Sequence, residues 1–169
     1  MELSILDFIR EHFSSSFMDR LMPFFSSFAD DGIFWIMLAF VLISSRKWDK
    51  AGKHMLYSLL VNLLIVNICV KPFFARIRPY DVNKGVTLLI DKLSDYSFPS
   101  GHTAASFAAA FSLKFTKVKG WIPALILACI IAFSRLYLYV HYPTDVLFGA
   151  LFGTASALIA DSVCRKCER

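Results

Sequence analysis

The chain has 169 residues, of which 57% are hydrophobic and only 18% are charged. Its mean hydropathy of +0.57 is too high for an ordinary water-soluble domain and indicates an integral membrane protein. The formal net charge is +5, but the basic residues stand in short clusters between apolar segments and form no continuous face. Nucleic acid is therefore not an expected partner, whereas the lipid bilayer is.

Residues 1–31 are expected to form an amphipathic segment at the membrane interface. Apolar side chains alternate with charged ones as far as Phe13, and Pro23 interrupts the second half. This pattern is typical of a helix that lies in the membrane surface. The Asp-Asp-Gly sequence at 30–32 ends the segment. The N-terminus has neither a basic start nor a small-residue cleavage site, so no removable signal peptide is expected.

Residues 32–169 predict a helical bundle. Five apolar segments are candidates to cross the membrane, four of them long and the fifth short but free of charge: 54–71, 101–115, 120–139, 144–163 and 32–45. The expected fold class is all-α, a polytopic transmembrane bundle of five spans, or of six if residues 17–29 also cross. Small residues at four-residue spacing on 104–109 and 149–157 predict close helix packing.

Lysine and arginine concentrate in the connections 46–53 and 114–119 and in the tail 165–169. The positive-inside rule places these three sites on the cytoplasmic side of the membrane. The connections 71–100 and 137–144 then lie on the opposite, exoplasmic or periplasmic, side. Three tyrosines near the outer helix ends are interpreted as an aromatic belt at the interface: Tyr137, Tyr139 and Tyr142.

Several residues outside these features receive no function. Cys164 and Cys167 form a single CxxC, which lacks the second ligand pair of a zinc site. His12 and His54 are expected at the surface or the membrane interface. Loop 80–98 keeps two interpretations, a lid or interfacial segment that guides headgroups and an ordinary solvated loop.

Six ionisable side chains fall at the outer ends of helices or in the outer loops of this topology: Lys71, Arg78, His102, Arg135, His141 and Asp145. Each of them alone has an ordinary structural explanation, such as snorkelling or helix capping. Ionisable groups at membrane depth are costly, so six at one level indicate a site. Two histidines and an aspartate are also zinc ligands, but three converging cations argue against a divalent ion beside them. Neither a metal nor a cofactor is therefore expected.

The six residues belong to three motifs: Lys71-(six residues)-Arg78-Pro79, Pro99-Ser100-Gly101-His102, and Ser134-Arg135-(five residues)-His141-(three residues)-Asp145. In these motifs the chain resembles the type 2 phosphatidic acid phosphatase superfamily, whose three-part signature it matches in full. The resemblance implies one integral membrane phosphatase domain over 1–169, with its catalytic helical bundle in 32–169 and the active site at the outer mouth.

The size and layout are similar to those of small bacterial enzymes that act on undecaprenyl diphosphate or phosphatidylglycerol phosphate. This likeness implies a bacterial inner membrane as the location and a lipid phosphate as the substrate. The soluble vanadium-dependent haloperoxidases share the signature, but the apolar composition argues against them.

The residue types suit phosphoryl transfer, in which fixed cations and N–H donors stabilise the charge of the transition state. The expected phosphate-binding residues are Lys71, Arg78, Arg135 and, at a helix N-terminus, Ser100 and Gly101. The resemblance implies that His141 is the nucleophile. Asp145 would orient its ring, either within one helical turn or across a turn of the chain, and His102 would then act as the general acid.

The predicted function is metal-independent hydrolysis of a terminal phosphate from a lipid phosphate or diphosphate through a phosphohistidine. One alternative is a lipid phosphotransferase that uses the same phosphohistidine. A second, from another class, is a transporter or flippase for anionic lipids. Transporters often carry repeats and a site near the bilayer midplane, whereas here the charges cluster near one surface and no repeat is visible.

Overall fold

The computed structural model of the chain describes residues 1–167, without the side chain of Cys167. All secondary structure assigned within these residues is helical. Arg169, part of the predicted basic tail, lies outside the described residues. The helices are α1 (Glu2–Phe13), α2 (Met18–Ser27), α3 (Ile33–Ser44), α4 (Asp49–Asn62), a π-helical segment (Leu63–Val70), α5 (Lys71–Phe74), α6 (Pro79–Val82), α7 (Gly101–Phe115), α8 (Trp121–Tyr137) and α9 (Pro143–Cys167). The predicted all-helical fold is confirmed.

Within the described residues, two helical stretches are long and apolar enough to cross a membrane. One is Asp49–Val82, which contains α4, and the other is Pro143–Lys166, within α9. The helices α2 and α3 meet that standard only as a pair, bent by 43°. Because a helix rises about 1.5 Å per residue, their 10 and 12 residues are each too short for a hydrocarbon core of about 30 Å. Residues 17–29 and 32–45 thus reach the length of a span only when taken together, and the count of five spans stays a prediction.

The bundle is centred on the packing of α7 against α9. A Cβ added to Gly153 would lie 2.2 Å from the carbonyl oxygen of Ala104, and one added to Gly149 would lie 2.7 Å from that of Ser100. The two backbones are thus in direct contact, because neither glycine interposes a side chain. This confirms the close packing predicted from the small residues of both helices.

A second apolar cluster holds the N-terminal helix against the end of the bundle at which α7 and α9 begin. Leu6 and Ile9 of α1 are buried there with Tyr80, Tyr137 and Tyr139. Apolar residues of loop 80–98 pack against the same cluster: Val86, Leu88, Leu89, Ile90 and Leu93. The apolar stretch of this loop is therefore packed onto the fold, whereas its charged residues are exposed to solvent, so both interpretations of the loop stay open.

The tyrosines at the end of α8 do not form an aromatic belt. Tyr137 and Tyr139 are buried, and their hydroxyls donate hydrogen bonds to Asp19 at 2.6 Å and to Asp7 at 2.7 Å. Both carboxylates belong to the N-terminal segment, so these tyrosines anchor α1 and α2 to the bundle. Tyr142 is also buried.

His54 lies in the interior, and the expectation of a surface or interfacial position is wrong. Its side chain is only 3% exposed, and its Nε2 is 3.8 Å from a carboxylate oxygen of Asp161 on α9. The Ser58 hydroxyl is 3.4 Å from Nδ1 and accepts a hydrogen bond from Ser112 on α7 at 2.7 Å. Polar groups thus join three helices, α4, α7 and α9, away from the end at which α7 and α9 begin. His12 is exposed, as predicted.

The contact between α7 and α9 yields a stability prediction. Gly153→Ala should lower the apparent melting temperature in detergent, because its new methyl group meets backbone of α7 that cannot rotate away. We expect the free energy of unfolding to fall by about 1–3 kcal/mol, the usual cost of overpacking a core. The matched control is Gly120→Ala, whose Cβ would have its nearest neighbour at 3.9 Å. Equal melting temperatures for the two variants would contradict the prediction.

Candidate active site

Lys71 stands at the C-terminal end of the long α4 stretch, directly after the π-helical segment. Wide π turns often occur beside functional sites. The side chain is buried and its ammonium group pairs with Asp95. Gly101 lies close by, since a Cβ there would be 3.6 Å from Lys71 Nζ and 3.3 Å from Asn67 Oδ1. The glycine therefore allows the start of α7 to approach Lys71.

Arg78 is held rigidly by four hydrogen bonds. Its Nε donates to the Asp95 carbonyl oxygen at 2.9 Å and one Nη donates to that of Val140 at 2.7 Å. The other Nη donates to the Asp95 carboxylate at 2.5 Å and, more weakly, to the Tyr96 carbonyl oxygen at 3.4 Å. The first Nη also lies 3.3 Å from His141 Nε2. The guanidinium thus bridges loop 80–98 and the connection between α8 and α9.

Ser100 caps α7 from inside the fold. Its hydroxyl accepts hydrogen bonds from the Thr103 backbone N–H at 3.4 Å and from the Thr103 hydroxyl at 3.0 Å. Its own backbone N–H donates to the Asp145 carbonyl oxygen at 3.0 Å. The start of α7 is therefore tied to the start of α9, and the Ser100 side chain is engaged in the cap.

His141 and Asp145 meet across a turn, because α9 begins only at Pro143. His141 Nδ1 is 3.6 Å from Asp145 Oδ2, which is close but longer than a hydrogen bond. Asp145 Oδ2 accepts hydrogen bonds from the Ser97 hydroxyl at 2.5 Å and the Tyr142 N–H at 2.9 Å, while Oδ1 accepts one from Arg76 at 2.6 Å. Of the two open sequence alternatives, the turn is the correct one.

Arg135 is buried at the end of α8 with donors to spare. One Nη donates to the Ser26 hydroxyl of α2. Its Nε, its other Nη and His141 Nδ1 make no hydrogen bond to any residue between 1 and 167. A buried donor without a partner costs about 1–3 kcal/mol, so these groups suit a ligand rich in acceptor oxygens.

His102 stands in the first turn of α7, with its Nε2 2.7 Å from a carboxylate oxygen of Asp30. It lines a cavity of about 470 Å³ together with Lys71, Asp95 and Gly101. Away from these polar groups the cavity runs between α3 and α4, along apolar side chains: Ile36, Phe40, Leu56, Leu59, Leu60 and Leu63. A polar end and an apolar groove thus form one continuous space.

Charge and burial set the state of two groups outside the spanning helices. Burial lowers the pKa of His141 well below its ordinary value, and the neighbouring charges of Arg78, Arg135 and Lys71 lower it further. The ring is therefore neutral at pH 7. Burial acts to raise the pKa of Asp95, but Lys71 and Arg78 outweigh it and hold that pKa at about 2. Asp95 is therefore ionised.

The structure brings the eight residues singled out in the sequence to one end of the bundle, around the starts of α7 and α9. Three further charged residues touch them and escaped the sequence analysis: Asp30 beside His102, Asp95 between Lys71 and Arg78, and Arg76 beside Asp145. Nothing in the sequence separates Asp95 from Asp81 or Asp91 of the same loop. Within residues 1–167, no three His, Cys, Asp or Glu side chains gather as metal ligands do.

An all-helical membrane bundle with a buried cationic pocket at one end is the architecture of a membrane enzyme that handles anionic groups. The chain belongs to the PAP2 superfamily, whose sequence profile matches residues 51–167. The resemblance predicted from the three motifs is thereby confirmed.

Individual relatives agree with this family. An undecaprenyl-diphosphatase of Sulfolobus acidocaldarius is 31% identical over 138 residues, 81% of this chain and 66% of that protein. The Aquifex aeolicus LpxE crystal structure has a TM-score of 0.82 at 28% identity, covering 94% of this chain and 93% of that one. A Bacillus subtilis phosphatidylglycerolphosphate phosphatase reaches 0.77 at 24% identity, covering 98% and 85%, a likeness of fold alone. The chain thus spans about two thirds of the Sulfolobus relative, and the predicted enzyme class, a phosphatase, is confirmed.

The position of Asp95 yields a binding prediction. Its carboxylate contacts Lys71 and Arg78, two cations expected to hold phosphate, so it competes with an incoming anion. Asp95→Asn removes that negative charge and should tighten binding of inorganic phosphate about tenfold, or about 1.4 kcal/mol, in calorimetry on the detergent-solubilised protein. Asp91→Asn, an exposed position in the same loop, is the matched control. Unchanged or weaker binding in Asp95→Asn would rule out such competition.

Proposed function

We propose that the protein is a metal-independent lipid phosphatase that removes a terminal phosphate through a phosphohistidine on His141. The observation that carries the proposal is a buried, neutral His141 imidazole 3.3 Å from the fixed guanidinium of Arg78 and under the charge of Arg135, which keeps buried donors without a partner among residues 1–167. Such a pocket offers positive charge to the phosphoryl oxygens and a nitrogen lone pair to the phosphorus atom.

Phosphate binding falls to the three cations and to the start of α7. Lys71, Arg78 and Arg135 neutralise the equatorial oxygens, where charge accumulates during transfer. The arginines, as planar forks, suit pairs of oxygens. Gly101 lets the substrate approach the N–H groups of the first helical turn, which already favour an anion. Ser100 contributes by capping that turn.

In the first step the Nε2 lone pair of His141 attacks phosphorus, the bond between nitrogen and phosphorus forms, and the bond to the leaving oxygen breaks. Nδ1 keeps its proton and faces Asp145 Oδ2, 3.6 Å away. The phosphorylated ring is cationic, so the Asp145 carboxylate stabilises it and fixes its orientation. Water then attacks phosphorus, and the bond to nitrogen breaks to return neutral His141 and free phosphate.

His102 serves as the general acid and base. It gives a proton to the leaving oxygen in the first step and takes one from the attacking water in the second. The contact with Asp30 at 2.7 Å holds its ring at the mouth of the cavity. The proton thus returns to His102 at the end of each cycle.

The apolar groove beside the pocket supports a lipid as substrate. Six large apolar side chains line it between α3 and α4, so a hydrocarbon tail gains favourable burial there while its phosphate reaches the cations. The name of the Sulfolobus relative favours undecaprenyl diphosphate, with a phosphatidyl-type lipid phosphate as the other candidate. The basic connections 46–53 and 114–119 lie at the opposite end of the bundle, which favours an active site on the outer face of a bacterial inner membrane.

Phosphate release from purified protein in detergent tests this function. We expect turnover of undecaprenyl diphosphate in preference to phosphatidylglycerol phosphate, phosphatidate and a short-chain prenyl diphosphate, with no loss after exhaustive chelation. His141→Ala should abolish release from all four, because no covalent intermediate forms. Substantial turnover by His141→Ala would refute the nucleophile, and activity lost on chelation but restored by a metal would refute metal independence. Products formed with an added acceptor lipid separate hydrolysis from phosphotransfer.

The leaving group decides how much His102 matters. His102→Ala should lower kcat for a lipid monophosphate, which expels a poor alkoxide, by about 10²–10⁴-fold. The loss for a lipid diphosphate should be much smaller, because its leaving phosphate is already stable as an anion. The measurement is kcat for both substrates, with the exposed His12→Ala as control. Equal losses on the two substrates would exclude His102 as the acid.

A further inference from the structure

Arg76 stands two residues before Arg78, inside the first motif but at one of its unspecified positions. Its guanidinium donates hydrogen bonds to Asp145 Oδ1 at 2.6 Å, to the Thr144 hydroxyl at 2.7 Å and to Glu2 at 2.5 Å. It also stacks over the ring of Tyr142, with its centre 3.8 Å from the ring centroid. One side chain thus joins α1, the connection before α6 and the first turn of α9.

We propose that Arg76, held in turn by Glu2, is a positioning residue that keeps the Asp145 carboxylate in place and aimed at His141. The inference rests on the proposed function, because Asp145 has a catalytic task only if His141 is phosphorylated. It makes the N-terminal helix a part of the active-site scaffold.

The charge balance around Asp145 supports this role. The carboxylate is fully buried, and a buried charge needs a partner of opposite sign or several donors. The Ser97 hydroxyl and the Tyr142 N–H are neutral donors, and His141 is neutral before the reaction. Among residues 1–167, Arg76 is therefore the permanent cation paired with Asp145.

The geometry separates Arg76 from the phosphate. Arg76 contacts Oδ1 of Asp145, whereas His141 faces Oδ2. The Arg76 side chain borders a different cavity, with Thr144 and an aromatic wall: Phe74, Phe98, Phe148 and Phe152. Arg78 points instead to His141 and to the pocket. Arg76 therefore acts through Asp145 and not on the substrate.

Glu2 fixes the other side of this network. One of its carboxylate oxygens accepts hydrogen bonds from the Thr144 N–H at 3.2 Å and the Thr144 hydroxyl at 2.6 Å, and the other accepts from Arg76. Burial acts to raise the pKa of Glu2, but the hydrogen bonds of Thr144 and Arg76 outweigh it and lower that pKa. An ionised Glu2 thus secures the first turn of α9, which carries Asp145.

Three variants test the proposal by separating kcat from KM on the best lipid substrate. Arg76→Gln should lower kcat about 10–100-fold, the usual effect of losing a group that supports a reacting residue, and leave KM within about twofold. The rate of phosphoenzyme formation should fall by the same factor. Arg76→Lys keeps the charge and should recover most of kcat, and Glu2→Gln should give a smaller loss. Arg20→Gln, an exposed residue of α2, is the matched control for charge.

The outcomes distinguish this inference from the proposed function. Suppose that the wild-type protein turns over lipid phosphate and His141→Ala does not. If Arg76→Gln then keeps wild-type kcat, or mainly raises KM, the positioning role is wrong while the function stands. A fall in kcat that only mirrors a smaller folded fraction, shared by Arg76→Lys, also overturns the role. If Arg76→Gln does not fold, Glu2→Gln tests the role instead: a lower kcat with unchanged KM supports it, and an unchanged kcat overturns it. A wild-type protein without phosphatase activity refutes the function and this role together.

Discussion

Positive charge that is buried and fixed at one end of a membrane bundle is the constraint on which the structure depends. Lys71, Arg78 and Arg135 are each less than a tenth exposed, and like charges in a medium of low dielectric repel strongly. The Asp95 carboxylate pairs with both Lys71 and Arg78, and backbone carbonyl oxygens accept further hydrogen bonds from Arg78. Arg135 donates a hydrogen bond to the Ser26 hydroxyl but forms no ion pair within the part of the chain described. The pocket is therefore short of negative charge, which the oxygens of a phosphate would supply.

The pocket exists because two helices touch along their backbones. Gly149 and Gly153 bring α9 against α7, and the Ser100 N–H then reaches the Asp145 carbonyl oxygen. This contact sets the two helix starts side by side. The positions of the two histidines depend on this contact, since His102 lies just inside α7 and His141 just before α9. Glycines in the first half of α9 thus govern the geometry of the site at its start.

The sequence predicts the helices and the main residues of the site because those signals are local or follow from topology. Apolar length defines the helices, and their alternation returns all three motifs to the same end of the bundle. The burial of Tyr137 and Tyr139 is not predictable in this way. Their partners, Asp19 and Asp7, precede them by 118 and 132 residues, and no local pattern marks such a contact. A tyrosine near a helix end fits an aromatic belt equally well.

The two arginines at 76 and 78 show the same limit at close range. They are identical in type and two residues apart, yet one pairs with Asp145 and the other with Asp95. The helix α5 ends at Ala75, which has a left-handed φ of 43°. In the chain after it, Arg76 contacts Thr144 and Asp145, whereas Arg78 contacts Val140 and His141. Motif spacing records only one of these two positions.

The two carboxylates of the site, Asp95 and Asp145, differ in how deeply they are buried. Asp95 is half exposed and contacts the cations of the pocket, so an incoming phosphate can take its place with little loss of buried interactions. Asp145 is fully buried and held by Arg76, Ser97 and the Tyr142 N–H, so its removal would leave several donors unpaired at once. Exposure, and not charge, therefore distinguishes a carboxylate that can yield to the substrate from one that can support a nucleophile through repeated cycles.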